Sequence, residues 1–295
     1  MKDGQGTLGG WVEVKNRKSG NWIPFALTCS HCCFPADDGL TAVDLQVVQK
    51  WKRHGVRPGD ADSTRLLSVD SPSYRDIKRR VDSLAHDIRE EESKEVYREV
   101  KELKANDEFV MLLSERRWKV ISTAIAQLQG GRHIIKQFFH KPTQKLGTVF
   151  AASGFREMQS TNDPSKLSIR DWALVQPGVG RAAGKNTVTI PPAHRPRNWS
   201  HGTCKITTRV INEKEAQIPT WEHVMLWPGH LVTQEGDSGS LAFDSDGVVL
   251  GMLFGGMGTH DVGYFTATRD LLADIEHITG AKEIRLRYDD SYDEN

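Results

Sequence analysis

The chain has 295 residues, enough for one large domain or two lobes with substantial cores. Its 26% charged and 38% hydrophobic residues are the composition of an ordinary globular protein. Lys plus Arg equals Asp plus Glu at 39 each, which removes any electrostatic case for nucleic acid or a membrane surface, and no 18-residue apolar run predicts a membrane span.

The N-terminal Met1-Lys2-Asp3-Gly4-Gln5-Gly6 lacks the apolar core of a signal peptide, and a cytoplasmic protein is expected. Residues 7–14 read as a strand, Asn16-Arg17-Lys18-Ser19-Gly20 as a hairpin turn, and Trp22–Cys29 as a buried strand. That strand runs into Ser30-His31-Cys32-Cys33. A histidine at the end of a buried strand is well held with its ring free to face a cleft; it also suits a hydrogen-bonded core histidine. Val43–Val48 alternates and reads as a further short strand.

Residues 72–129 change period. Pro72 fits the first turn of a helix with Ser71 as its N-cap. Tyr74, Ile77, Val81, Leu84 and Ile88 then recur at spacings of three and four, interrupted by Glu90-Glu91-Glu92. A second run covers about 107–128, with a turn near Ala105-Asn106-Asp107 and an end at Gly130-Gly131. The expectation is an amphipathic helical hairpin, packed intramolecularly or presenting a stripe to a protein partner.

Strand patterns return at 145–155 and 168–175. Asp171 stands at the mouth of the second, where an acid buried without a partner would cost several kcal/mol; it reads either as a paired carboxylate or as a turn cap. Residues 176–200 are rich in Gly, Pro, Ala and Asn and read as a lobe crossing. Strands are expected at 202–210, 220–227, 230–233, 240–243, 248–254 and 264–268. A helix over 269–278 ends at Gly280, and 281–295 reads as an acidic, disordered tail.

The four cysteines are Cys29, Cys32, Cys33 and Cys204. This is a poor disulfide framework. Cys29-x-x-Cys32 offers half a zinc site with no second pair evident at ligand spacing, so reduced thiols are expected.

The chemistry centres on Glu235-Gly236-Asp237-Ser238-Gly239-Ser240. A serine between two glycines can sit on a tight turn, its hydroxyl exposed beside consecutive N–H groups, as acyl transfer requires. The same residues also make ordinary turns.

Taken in order, His31 after Phe25-Ala-Leu-Thr-Cys-Ser30, Asp171 opening Asp-Trp-Ala-Leu-Val175, and Ser238 in Gly-Asp-Ser-Gly-Ser resemble the chymotrypsin/trypsin-like serine proteases. The resemblance covers residues 1–60 and 140–280. It implies a mainly β fold with an α insertion: two six-stranded antiparallel barrels with the site between them, plus the helical hairpin and the C-terminal helix. The implied domain is 1–280, with a first barrel from 1–71 and 130–190, a second from 195–268, and 72–129 as the insertion. His31 and Asp171 would belong to the first barrel and Ser238 to the second. Asp171 would orient His31, His31 would take the proton of Ser238, and the N–H groups of Gly236 and Ser238 would form the oxyanion hole. The substrate would be a protein or peptide, and no metal or organic cofactor would be needed.

Departures from the pattern are informative. His31 and Asp171 lie 140 positions apart, an excess explained largely by the insertion. Thr7-Leu-Gly-Gly-Trp-Val12 replaces the cleaved N-terminus that would neutralise Asp237, so an intracellular relative, active as folded or switched otherwise, is implied. By the same resemblance Val232 forms the base of the substrate pocket, Thr233 and His260 its polar contacts, and Gly256 and Gly263 its open wall. Val232 is not acidic, which argues against Arg or Lys substrates, and Leu253 argues against acidic ones. An apolar or small residue before the scissile bond is expected. The competing reading is a protease-like scaffold or regulated signalling protein whose helical insertion binds a partner.

Overall fold

The computed structural model describes residues 6–140, 144–184, 186, 200–209, 217–226, 233–244, 246–257 and 262–287. The chain divides into two compact units, Met1–Val69 with Leu146–Asn295, and Asp70–Lys145. In chain order the first unit opens with β1 (Gly10–Lys15), β2 (Trp22–Thr28), α1 (Ser30–Cys33), α2 (Ala42–His54), α3 (Ala61–Leu66) and β3 (Ser68–Asp70). The second unit holds α4 (Tyr74–Ser93), α5 (Glu95–Ala105) and α6 (Leu112–His140). Then follow β4 (Lys145–Ala152), β5 (Arg156–Gln159), β6 (Leu167–Arg170), β7 (Ala173–Pro177), β8 (Ser200–Arg209) and β9 (Gln217–Leu226). The chain closes with β10 (Leu241–Phe243), β11 (Val249–Met257), β12 (Val262–Ala267), α7 (Thr268–Thr279) and β13 (Ile284–Leu286).

The first unit is built on two main sheets, in the orders β13-β1-β2-β7-β4-β3 and β10-β11-β12-β9-β8, with β5-β6 as a two-stranded ribbon. All the registered pairs are antiparallel. The expected barrels are not closed among the described residues. Closure needs the terminal strands of a sheet to pair, and the first sheet ends on β3 and β13, each only three residues long. Nor is the fold mainly β: helical residues outnumber strand residues among those described. The architecture is a mixture of helices and antiparallel sheets.

The β1–β2 hairpin forms where the sequence places it. The Asn16 side-chain oxygen accepts the N–H groups of Lys18 and Ser19, and Gly20 takes φ 73°, which only glycine adopts cheaply. On α7, Leu271, Ile275 and Ile278 share one face and are buried with Val12, Phe25 and Leu27 of the first sheet and Met252 of the second. Burying each such side chain contributes about 1.5–3 kcal/mol, so α7 is the apolar seam between the two sheets. It ends, as expected, at Gly280 in the left-handed conformation.

Several boundaries differ from expectation. Val43–Val48 is helical, not extended. Thr41 caps α2 by accepting the Asp44 N–H, and Val48 and Trp51, three apart, are its buried residues. The apolar/polar alternation at 43–48 mimicked a strand over too short a window. The run at 168–175 breaks at Asp171-Trp172 into β6 and β7. The C-terminal stretch is not wholly a tail, since Ile284–Leu286 adds an edge strand to β1. Most of the expected strand at 230–233 and of the 176–200 crossing lies outside the described residues.

Among the described residues the helical unit has three helices, not two. Ser73, not Ser71, caps α4 by accepting the Asp76 N–H. Lys94 alone separates α4 from α5, just past the acidic run. Asp107, at φ 60°, turns the chain toward α6. Helix α6 continues through Gly130-Gly131 instead of stopping there. Two glycines cost roughly 1 kcal/mol each in a helix, and aromatic contacts beyond them favour continuation: the Phe139 ring meets Tyr74 of α4 edge-on at 6.2 Å. Leu84, Ile88, Val100 and Ile125 form the buried residues of this unit. No described helix is long and apolar enough to cross a membrane.

Candidate active site

His31 and Asp171 meet because of strand register. β2 pairs with β7 with Thr28 opposite Ala173, so the residues just beyond β2 face those just before β7. His31, in the single turn α1, donates its backbone N–H to Asp171 Oδ1 at 3.1 Å, and its ring Nδ1 lies 2.5 Å from Asp171 Oδ2. The carboxylate therefore grips both the backbone and the ring of one residue. It fixes the ring orientation and leaves Nε2 to face away from the acid.

The surroundings hold this pair rigidly. Ser30 Oγ donates to the Trp172 carbonyl at 2.6 Å, and the Trp172 N–H donates to Ser153 Oγ at 2.8 Å. The Trp172 indole N–H donates to Asp274 Oδ2 at 2.7 Å, and Arg156 Nη2 donates to both oxygens of Asp274 at 2.9 Å. Asp171 is thus flanked by a fully buried tryptophan anchored from α7. No sequence signal marked Ser30, Ser153, Arg156 or Asp274 for this task, because each acts through a partner more than 100 positions away or through a backbone group.

Ser238 lies on a turn bracketed by Gly236 at φ 102° and Gly239 at φ 99°. Both conformations are strained for residues with a Cβ. Asp237 holds the turn from within, its Oδ2 accepting the Gln234 N–H at 2.7 Å and its N–H donating to the Gln234 carbonyl at 3.1 Å. The N-terminal segment holds it from outside. The Thr7 N–H donates to the Ser238 carbonyl and Thr7 Oγ1 donates to the Gly236 carbonyl, both at 2.8 Å. Thr28 Oγ1 in turn donates to the Thr7 carbonyl at 2.8 Å. Thr7 and Thr28 tie the serine turn to β2, and hence to the element that delivers His31. Sequence pattern assigned Thr7 only to a strand.

His31 and Ser238 line one cavity of 590 Å³ together with Thr233, Gln234, Glu235, Gly236, Asp237, Leu253, Gly255 and Gly256. Ser238 Oγ donates to the Phe254 carbonyl at 3.4 Å. Among the described residues the N–H groups of Gly236 and Ser238 donate to no protein acceptor, whereas those of Asp237 and Gly239 are taken by the Gln234 and Leu253 carbonyls. Of the expected pocket residues, Thr233 and Gly256 line the cavity. Gly263 pairs with Gly256 across β11–β12 but does not line it. Val232 and His260 lie outside the described residues.

Burial works to lower the His31 pKa, but the charge and hydrogen bond of Asp171, with a smaller contribution from Cys32, raise it to about 10. In this geometry the imidazole holds its proton at neutral pH. Cys29, His31 and Asp171 also bring donor atoms within 4.8 Å of one another. A separation of 2.5 Å between Nδ1 and Oδ2 suits a shared proton and not a shared ion. Two ligands on one zinc, each about 2.0–2.2 Å from it in a tetrahedral array, stand more than about 3 Å apart.

No family model matches the chain, and no curated protein matches it. Among solved structures, the chain is matched by the Rv3671c protease of M. tuberculosis in its active form, at 17% identity and a TM-score of 0.26, over 48% of this chain and 66% of that one. A Ser343Ala mutant of Rv3671c from M. tuberculosis H37Rv, in its inactive form, matches at 14% identity and a TM-score of 0.26, over 49% of this chain and 76% of that one. A likeness of this degree carries no functional argument; the side chains of this chain have to supply one.

Proposed function

We propose that this chain is a serine endopeptidase working through His31, Asp171 and Ser238. The observation that carries the reading is the Asp171-held imidazole opening into the same cavity as a serine on a glycine-bracketed turn. In this mechanism deprotonated His31 accepts the Ser238 proton as Oγ attacks a peptide carbonyl, and later returns it to the leaving amine. Ser238 Oγ first leaves the Phe254 carbonyl. That bond is long at 3.4 Å, and giving it up costs at most about 0.5–1.5 kcal/mol. The N–H groups of Gly236 and Ser238, which have no acceptor among the described residues, receive the developing oxyanion. Leu253, Gly255 and Gly256 along the cavity wall favour an apolar or small residue before the scissile bond.

A fluorophosphonate probe is expected to label the wild type and not Ser238→Ala. Because the hydroxyl's one hydrogen bond among the described residues is to the Phe254 carbonyl, the variant should keep its stability to within about 1 kcal/mol. Equal labelling of both proteins rejects the assignment. Peptides with Phe, Leu, Ala, Arg or Glu before the scissile bond test the pocket, and dominant Arg cleavage would overturn the specificity.

A second reading has its own observation. Phe109, Met111, Leu112 and Leu113 are exposed together around the start of α6, and such a patch suits a protein partner of the helical unit. Replacing Phe109, Met111 and Leu112 by serine is then expected to abolish partner capture while Ser238 labelling persists.

A further inference from the structure

The mechanism above leaves the thiols of Cys29 and Cys32 unused, two residues of the turn that carries His31. Cys29 is the N-cap of α1, and the Cys32 N–H donates to the Cys29 carbonyl at 3.2 Å, so the two side chains leave the same turn. Residues three apart in such a turn have Cβ atoms about 5–6 Å apart, a short adjustment from the roughly 3.5–4.5 Å of a disulfide. Their environments are unequal. Cys29 is fully buried, its thiol donating to the Leu253 carbonyl at 3.1 Å. Cys32 is half-buried, with Sγ 3.9 Å from the Ser238 carbonyl and in contact with His31.

We propose that Cys29 and Cys32 form a hydroperoxide-oxidisable dithiol, Cys32 reacting first and Cys29 closing the disulfide. The neighbouring Cys29 side chain lowers the Cys32 thiol; burial opposes it, His31 reinforces it, and Asp171 opposes it, leaving Cys32 at about 6. Burial pushes Cys33 upward, with Cys32 and Asp171 adding to the rise, so it stays a thiol. Low-lying thiols in Cys-x-x-Cys pairs are the reactive ones. In the first step the Cys32 thiolate attacks a peroxide oxygen: an S–O bond forms, the O–O bond breaks, and the departing alkoxide or hydroxide takes up a proton. In the second, the Cys29 sulfur attacks the Cys32 sulfenic acid. An S–S bond forms, the S–O bond breaks, and water leaves with the Cys29 proton. Two electrons pass from the dithiol to the peroxide.

One consequence rests on the endopeptidase reading. The Cys32 thiolate helps to keep the proton on His31, so closing the disulfide withdraws a negative charge and frees the base at lower pH. Oxidation should therefore shift the alkaline-rising limb of the pH–rate profile to lower pH and raise the rate at neutral pH.

The test is mass spectrometry of the full chain treated with hydrogen peroxide, alkylated with iodoacetamide and digested with trypsin. The peptide Ser19–Lys50 carries all three thiols of the turn. The expected product has lost two hydrogens, takes up iodoacetamide only at Cys33, and regains alkylation at Cys29 and Cys32 after dithiothreitol. Cys29→Ser should instead accumulate a dimedone-reactive sulfenic acid at Cys32, and Cys32→Ser should leave Cys29 reduced. Persistent alkylation of Cys32 after peroxide, or a dimedone adduct in place of the bridge in the wild type, overturns the proposal. The wild-type measurement decides even if a variant fails to fold. Because it reads sulfur and not hydrolysis, a protein that bridges but never labels at Ser238 refutes the endopeptidase and keeps the dithiol.

Discussion

Replacing Asp171 by asparagine tests the centre of the reading, because it removes one charge and little else. The carboxylate is buried, and it raises His31 from its ordinary value of 6.5 to about 10 against the pull of burial. At 1.36 kcal/mol per pH unit that rise sets a ceiling of about 5 kcal/mol on the stabilisation of the imidazolium by its surroundings. A base whose pKa is higher in the fold than in the unfolded chain stabilises the fold fully below the unfolded value. That contribution is lost as pH rises through the folded value. The window here runs from 6.5 to about 10. About 4 kcal/mol of the ceiling remains at pH 7 and less than about 1 kcal/mol at pH 10. The introduced amide keeps an oxygen for the His31 N–H, so urea unfolding of Asp171→Asn should show a loss of about 2–4 kcal/mol at pH 7 that shrinks to under about 1 kcal/mol near pH 10. On the peptidase reading, the wild-type rate should rise about tenfold per pH unit through neutrality, since only deprotonated His31 acts as base. The same variant should lower kcat by about 10⁴, the loss known for an Asp-to-Asn change in a Ser-His-Asp triad, or about 5–6 kcal/mol of barrier. An equal destabilisation at both pH values, or a kcat within tenfold of wild type, would refute the reasoning.

Two further sets of substitutions probe the supports of the site and its neighbouring core. Gly239→Ala should cost about 1–3 kcal/mol and lower kcat, because at φ 99° its Cβ would press into the Thr7 carbonyl and the Thr28 hydroxyl; Gly236→Ala, with nothing within 4 Å, should cost less in the same denaturation assay. Glu222 is fully buried, and burial raises its carboxyl to about 7 against the Ile169 N–H and the charge of Arg170. A raised carboxyl stabilises the fold below its unfolded value of 4.5, and this contribution is lost as pH climbs toward 7. Relative to wild type, Glu222→Gln should therefore gain about 3 kcal/mol between pH 4.5 and 8 in unfolding experiments; a constant difference across that range would show that Glu222 ionises normally.

Local pattern was enough to specify the pieces. Alternation and turn residues place β1, β2, β4, β11 and β12 close to where they form, and the three- and four-residue spacing marks the helical unit. The glycines beside Ser238 announce a turn that other residues adopt only under strain. The same kind of pattern misjudged Val43–Val48, where six alternating residues fit either period and the Thr41 cap decided for helix. It also stopped α6 at two glycines whose cost the aromatic contacts beyond them offset. Which residues meet was settled at the level of the assembled molecule. The register of β2 on β7 brings His31 to Asp171 across 140 positions, Thr7 carries the serine turn to β2, and Asp274 reaches back from α7 to Trp172. None of these pairings lies within the few residues over which propensity and periodicity act. They follow from which apolar faces bury each other, a property of the whole core.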